Sequence, residues 1–166
     1  MTEAIIYTSN TGFTRRYAQM LSEKTGIKAY PLSDAPVKDG ARVIYMGWLA
    51  AGVIQGYKKA AKKYDIAAVC AVGMAETGSQ TEDVTRTNGI KVPLFTLQGG
   101  FYMDRLTGRY KFMMQVMKKT FGKSLMKKKD RTEAQDDMID LLFNGGDRVK
   151  EENLEGILGF LKAGQQ

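Results

Sequence analysis

Near its start the chain reads Ala4-Ile5-Ile6-Tyr7-Thr8-Ser9-Asn10-Thr11-Gly12-Phe13-Thr14-Arg15-Arg16. The apolar run suits a buried strand, and the residues from Phe13 onward have helical periodicity. Between the strand and the helix lie hydroxyl and amide side chains and a glycine. They stand at a helix N-terminus, where unpaired N–H groups and the helix dipole favour an anion. The stretch therefore predicts a phosphate-binding loop over Ser9 to Thr14, with an ordinary strand-to-helix turn as the alternative.

The spacing of this loop separates it from two common nucleotide-binding motifs. Ser9-x-Thr11-Gly12-x-Thr14 is not the Gly-rich dinucleotide fingerprint, and no Gly-Lys-Ser/Thr of a P-loop follows it. Short hydroxyl side chains and backbone amides, rather than a lysine, are therefore the expected anion donors.

Composition narrows the classes of function. A chain of 166 residues with 43% hydrophobic content suits one domain with a substantial core. The single cysteine, Cys70, excludes an internal disulfide, and its apolar surroundings indicate a packed thiol. No N-terminal leader and no apolar run of roughly 20 residues is visible, so we expect a cytoplasmic protein. The absence of histidine excludes Ser-His triads and His general bases, so redox chemistry would require a bound cofactor.

The rest of the chain alternates strands with helical segments. The expected strands are Ala4–Thr8, Ile27–Leu32, Arg42–Gly47, Ile66–Gly73 and Val92–Leu97; the expected helices are Phe13–Lys24, with Gly26 as its C-cap, and Val53–Tyr64. Residues Glu76–Gly89 are predicted to form a loop with a short helix. This alternation predicts an α/β three-layer sandwich over residues 1–166, with a five-stranded parallel sheet in the order 2-1-3-4-5 and helices on both faces.

Two further loops meet the phosphate-binding loop at the carboxyl edge of such a sheet. Gly47-Trp48-Leu49-Ala50-Ala51 follows the third strand, and Gly73-Met74-Ala75 follows the fourth. An aromatic face and close backbone donors suit a flat ring, although a tryptophan at a strand end also serves as a lid over a core. The corresponding strand ends carry no acidic cluster, so no metal site is predicted.

The loop from Ser9 to Thr14 resembles the FMN-phosphate loop of flavodoxins. The whole chain resembles the flavodoxin-like family that includes the menaquinone-dependent protoporphyrinogen oxidases. The first loop, the Gly47 strand end, and the block Gly-Gly-Phe101-Tyr102-Met103-Asp104-Arg105 with the Tyr110 to Lys119 helix carry the likeness. Trp48-Leu49 departs from that branch, which has more polar and basic residues there, and the stretch after strand four is shorter. Substrate identity therefore stays open.

The resemblance implies FMN as cofactor and a set of residues around it. The implied cofactor contacts are Thr8, Ser9, Asn10, Thr11, Gly12, Phe13, Thr14, Gly47, Trp48, Leu49, Ala50, Ala51, Gly73, Met74 and Ala75. Tyr102, Arg105 and Arg109 are expected at a substrate rim. The expected function is electron transfer between a reduced substrate and a quinone-like or protein acceptor, and the activity of a protoporphyrinogen oxidase is one form that this could take. The alternative is an electron carrier or accessory module without its own substrate.

The positive charge of the chain is concentrated in one segment. From Asp104 to Arg131 there are ten Lys and Arg against two Asp, within a helical, Met-rich segment at about 101–131. Phe112, Met113, Val116, Met117, Thr120 and Phe121 are expected to form one helical stripe. Three interpretations stay open: a helix packed on the sheet with solvated lysines, a peripheral contact of Arg105 to Arg131 with an anionic membrane, and another partner. Nucleic acid is not expected, because no recognition motif accompanies the charge.

Overall fold

The computed structural model describes residues 1–164 and contains a mostly parallel central sheet. Its strands are β1 (Ala4–Thr8), β2 (Ala29–Pro31), β3 (Arg42–Ala50), β4 (Val53–Ile54), β5 (Asp65–Gly73) and β6 (Leu94–Gln98). Five of them run parallel in the order β2-β1-β3-β5-β6, and β4 pairs antiparallel with the end of β3. A separate two-stranded sheet pairs β7 (Gly100–Phe101) with β8 (Gly146–Asp147).

Seven α-helices complete the described part of the chain. They are α1 (Phe13–Thr25), α2 (Tyr57–Lys63), α3 (Thr81–Asn88), α4 (Gly108–Met117), α5 (Lys123–Lys127), α6 (Glu133–Asn144) and α7 (Glu155–Ala163). A π-helical segment, Lys118–Gly122, joins α4 to α5 without a break. None of the helices in residues 1–164 is long and apolar enough to cross a membrane.

Helices cover both faces of the sheet because successive strand residues point to opposite sides. Ile5 belongs to a core cluster with α1 and α7, and its neighbour Ile6 belongs to a second cluster with α2 and α3. Both isoleucines are fully buried. Strands buried on two faces explain the continuous apolar runs in the sequence. The expected α/β class, with a mainly parallel sheet flanked by helices, is confirmed.

The expected strand count and the expected second helix need correction. The third strand continues to Ala50 and turns back into β4, so the sheet has six strands and its path is 2-1-3-5-6 in chain numbering. Ala51 (φ 49°) and Gly52 (φ 77°) form the turn, and two successive positive φ angles suit a tight hairpin. Residues expected to begin a helix at Val53 therefore form a strand, and α2 begins at Tyr57.

After β6 the chain leaves the sheet and forms what we call the helical cap, residues 100–147. The cap has its own apolar cluster, in which Phe101, Leu106, Met114 and Leu142 are buried. Pairing of β7 with β8 joins its two ends. Of the three interpretations of this basic helix, packing on the sheet is not observed, because α4 packs within the cap. Phe112 and Val116 of the expected stripe are exposed.

Candidate functional site

A cavity of about 510 Å³ lies between the carboxyl edge of the sheet and the helical cap. The residues that follow β1 line it, together with the carboxyl ends of the neighbouring strands β3 and β5 and the residues that follow them. Its lining includes Ser9, Asn10, Thr11, Phe13, Thr14, Trp48, Leu49, Ala50, Ala51, Gly52, Gly73, Met74 and Ala75. The cavity therefore brings all three predicted loops together.

The first loop is shaped by the start of α1. Gly12 (φ 101°) is the N-cap residue, and the Ser9 hydroxyl accepts a hydrogen bond of 3.3 Å from the Arg15 amide. The amides of Phe13 and Thr14 have no partner within the helix, because first-turn amides lie ahead of the hydrogen-bond ladder. Thr14 is only 1% exposed yet lines the cavity. Hydroxyl and amide donors thus surround the place predicted for an anion.

The second loop is the β3–β4 hairpin. Ala51 has the only positive φ angle of a non-glycine residue in the part of the chain that the structure describes, a conformation that costs about 1–2 kcal/mol. The Trp48 ring lies edge-on to the Tyr110 ring of α4, with the centroids 4.8 Å apart. This aromatic contact joins the sheet edge to the cap and sets one wall of the cavity.

The third loop is connected by hydrogen bonds to β6 and, through it, to α6. Gln98 Nε2 donates to the Met74 carbonyl at 3.0 Å and to Asp137 Oδ2 at 2.6 Å. Asp137 in turn accepts a hydrogen bond of 2.8 Å from Arg148 Nε, whose pKa is raised by this carboxylate. The network fixes Met74 at the cavity wall and connects that wall to the cap.

The cap supplies a largely apolar roof that the sequence did not identify as part of a site. Leu106, Tyr110, Met113, Met114 and Met117 line the cavity from one helix and the turn before it, and Met138 lines it from α6. Unbranched methionine side chains adapt to ligands of different shapes. The Met113–Met117 spacing was visible in the sequence, but nothing there pointed to Met138, because no ligand motif surrounds it.

The cavity contains almost no formal charge. Asp83 is the only acidic residue among those that line it, and its carboxylate forms an ion pair of 2.5 Å with Arg86. No lysine or arginine lines the cavity. An anionic group bound there would be held by neutral hydroxyl and amide donors.

Three predicted cofactor residues support the loops from positions outside the cavity. Gly12 provides the positive φ angle before α1. The Thr8 hydroxyl shares a hydrogen bond of 2.8 Å with the Tyr45 hydroxyl, and burial raises the pKa of Tyr45 to about 12. Gly47 packs so closely against Ile54 and the Gln55 carbonyl that no side chain would fit.

The three predicted rim residues also lie outside the main cavity. Arg105 stacks on the ring of Tyr102 at 4.3 Å, and Tyr102 stacks on Phe13 with centroids 6.1 Å apart. Arg109 lies over the Tyr110 ring at 4.9 Å and lines an adjoining cleft of about 370 Å³. Ala50, Tyr110 and Met113 line both spaces, so the cleft that Arg109 lines adjoins the cavity.

Comparisons with protein-family models, with curated proteins and with solved structures each gave no match. Within residues 1–164 there is also no group of three or more Cys, Asp or Glu side chains arranged to hold a metal ion.

Proposed function

We propose that the cavity binds FMN and that the protein is a flavodoxin-like oxidoreductase. The observation that carries the proposal is the convergence of three strand-end loops on one cavity of about 510 Å³, with the N-terminus of α1 in its wall. Ligand pockets are typically about 300–1,000 Å³. When β4 is left out of the count, the five parallel strands follow the order 2-1-3-4-5, which supports a flavodoxin-like architecture.

The residues present fit the two halves of FMN. A phosphate would be held by the hydroxyls of Ser9, Thr11 and Thr14 and by the free first-turn amides of α1. A flat, mainly apolar ring system would lie against Trp48 and the apolar roof, with backbone donors from the hairpin turn at its polar edge. The neutral lining also fits, because hydroxyl and amide groups can hold a phosphate without a lysine or arginine.

Bound FMN would supply the electron-transfer chemistry, and the chain would bind, orient and shield it. Met113, Met114 and Met117 would exclude water from the ring. Arg109, beside the adjoining cleft, is positioned for a carboxylate on a substrate. We propose a reduced substrate as electron donor, a porphyrinogen being one candidate, and a quinone-like or protein acceptor.

The first experiment is a visible absorption spectrum of the purified protein after incubation with FMN and removal of free ligand. We expect flavin bands with a perturbed shape, because the ring would leave water for an apolar wall. A protein that remains colourless would contradict the proposal.

Steady-state kinetics of the flavin-loaded protein then separate an enzyme from an electron carrier. Repeated turnover of a porphyrinogen or a quinol is expected for an enzyme. Stoichiometric reduction without turnover would instead favour the carrier, the second candidate function.

A further inference from the structure

The outer surface of the helix formed by α4, the π-helical segment and α5 exposes large apolar side chains. Phe112 is 68% exposed, Val116 44%, Phe121 50% and Met126 50%. Residues 1–164 have six such exposed apolar side chains, and these four lie within one continuous helix. A cluster of exposed apolar groups is characteristic of an interaction surface.

The same helix carries lysines that have no carboxylate partner. In residues 1–164 no ion pair involves Lys111, Lys118, Lys119, Lys123, Lys127, Lys128 or Lys129. Three carboxylates of the neighbouring acidic helix α6 are engaged elsewhere, because Asp136 pairs with Arg131 and Asp137 and Asp140 pair with Arg148. Lys118 donates to the Phe143 carbonyl at 3.4 Å and lies over the Phe143 ring. The positive charge available to an external anion is therefore that of the other six lysines.

Exposed apolar and basic residues alternate along the sequence of this helix. Lys119 lies between Val116 and Phe121, and Lys123 lies between Phe121 and Met126; all five side chains are exposed. A lipid interface accommodates this mixture, because apolar groups enter the acyl boundary while lysine stems extend their ammonium groups to the headgroups. An acidic protein would need a groove that matches both the apolar groups and the charges.

We propose that the outer surface of α4–α5 docks the protein on an anionic lipid bilayer. The helix would lie in the plane of the membrane, with Phe112 and Val116 inserted and the lysines at the phosphates. Its inner side lines the cavity through Met113, Met114 and Met117, and Phe121 both lines the cavity and is exposed. Docking would thus place the cavity beside the bilayer. The proposal does not depend on a bound flavin.

Sedimentation of the full-length protein with vesicles tests this docking. Vesicles of equal parts phosphatidylcholine and phosphatidylglycerol should bind the protein at low salt, and vesicles of phosphatidylcholine alone should not. High salt should weaken binding, because it screens the lysines. The triple variant K119Q/K123Q/K127Q should bind about 100-fold more weakly, since each lysine near an anionic surface contributes about fivefold.

A matched control removes the same charge from another exposed helix. K58Q/K59Q/K62Q neutralises three exposed lysines of α2 and should leave binding nearly unchanged. A second variant, F112S/V116T, keeps every lysine and should bind at least about tenfold more weakly, because it removes the inserted apolar groups. Circular dichroism establishes that each variant is folded.

Four outcomes would overturn the proposal. The first is no binding to anionic vesicles, which would favour an acidic protein partner. The second and third are undiminished binding of K119Q/K123Q/K127Q and undiminished binding of F112S/V116T. The fourth is an equal loss of binding in the α2 control, which would indicate attraction by net charge alone. Because the readout is vesicle binding and not flavin content, failure here leaves the FMN proposal intact.

Discussion

At the scale of single residues, Thr11 and Thr14 put two hydroxyl-bearing side chains on the wall of the cavity beside the start of α1. Thr14 is buried and Thr11 is partly buried, so both are restricted in their access to bulk water. A hydrogen bond to a charged group contributes about 1.5–3 kcal/mol. These two hydroxyls are therefore expected to contribute strongly to phosphate binding.

The double variant T11V/T14V tests this contribution with little change in shape. We expect the dissociation constant for FMN to rise at least about 100-fold, because two charge-assisted hydrogen bonds are lost. Flavin-fluorescence titration measures it. As a control, T85V makes the same chemical change on α3 outside the cavity, and this variant should bind FMN with wild-type affinity. Equal FMN affinities for the wild type and T11V/T14V would count against the phosphate loop.

Cys70 predicts how stability depends on alkaline pH. The side chain is fully buried, and burial raises the pKa of its thiol from 9.0 to about 12. The folded thiol therefore keeps its proton while an unfolded one loses it above pH 9, so the stabilisation is complete below pH 9 and is lost as the pH rises towards 12. By pH 11 the loss reaches about 3 kcal/mol. Burial of Tyr45 acts in the same direction between pH 10 and 12.

Urea unfolding of the wild type and C70A, with a reducing agent present, isolates the cysteine part of this effect. At pH 8 we expect C70A to be less stable by about 1 kcal/mol, because the substitution leaves a small cavity. At pH 11 C70A should instead be more stable than the wild type by about 2 kcal/mol, since the variant has no thiol to ionise. A difference that is the same at both pH values would show that the thiol does not titrate in this way.

At the scale of elements, the connection between β4 and α2 depends on Gly56. It has φ 81°, and a Cβ atom there would overlap the Tyr45 hydroxyl and Thr8 Oγ1. Gly26, after α1, has a similar φ of 74° with open space around it. Both glycines therefore need a positive φ angle, but only Gly56 has neighbouring atoms where a side chain would lie.

The pair G26A and G56A separates backbone strain from steric overlap. We expect G26A to lower the free energy of unfolding by about 1–2 kcal/mol, the cost of a left-handed non-glycine residue. G56A should cost about 1–3 kcal/mol more, because neighbouring atoms must move. Urea denaturation measures both losses, and equal losses would mean that the space beside Gly56 relaxes freely.

Elements with strong local signals could be predicted from the sequence. The apolar run Ala4–Thr8 forms β1, and Gly26 is the C-cap of α1, because it supplies the left-handed conformation at the helix end. The hairpin at Ala51 was missed, since alanine is an uncommon residue at positive φ and gives no turn signal. The apolar stripe on α4 was assigned to the wrong contact, because sequence periodicity identifies the apolar face of a helix but not the element that packs on it. The π-helical segment that follows α4 also changes the spacing of residues on one helix face.

At the scale of the whole molecule, the sheet and the helical cap have separate apolar clusters. The cap cluster around Met114 and Leu142 is distinct from the two clusters that pack on the sheet. Regions with fewer buried apolar contacts open at lower free energy. The cap is thus expected to open locally while the sheet stays folded.

Amide hydrogen exchange should show this difference. We expect α4 to exchange faster than β3 and β5 in the free protein, and to slow when FMN is added, because a ligand bound under the cap stabilises the closed form. The β5 amides serve as the internal control. Equal exchange rates for α4 and β5 without ligand would show that the cap and the sheet open together.

The part of the candidate site formed by the strand ends was predictable, because the strands concerned are neighbours in the sheet. Three loops follow parallel strands, and the carboxyl ends of such strands share one edge, so Ser9, Trp48 and Met74 were expected together. The roof was not predictable, because Tyr110 and Met138 reach the cavity through long-range packing of the cap. Arg105 was expected at the rim because of its charge, but it is occupied in stacking on Tyr102.

Trp48 is the only tryptophan of the chain, and it stands at the junction of the sheet edge, the cavity and the cap. Its intrinsic emission therefore reports on one place in the molecule without an added label. A ligand that absorbs near the emission wavelength would quench it by energy transfer, whereas separation of Tyr110 from the indole would admit water and shift the emission to the red. Occupancy of the cavity and movement of the cap are thus distinguishable with the same optical signal.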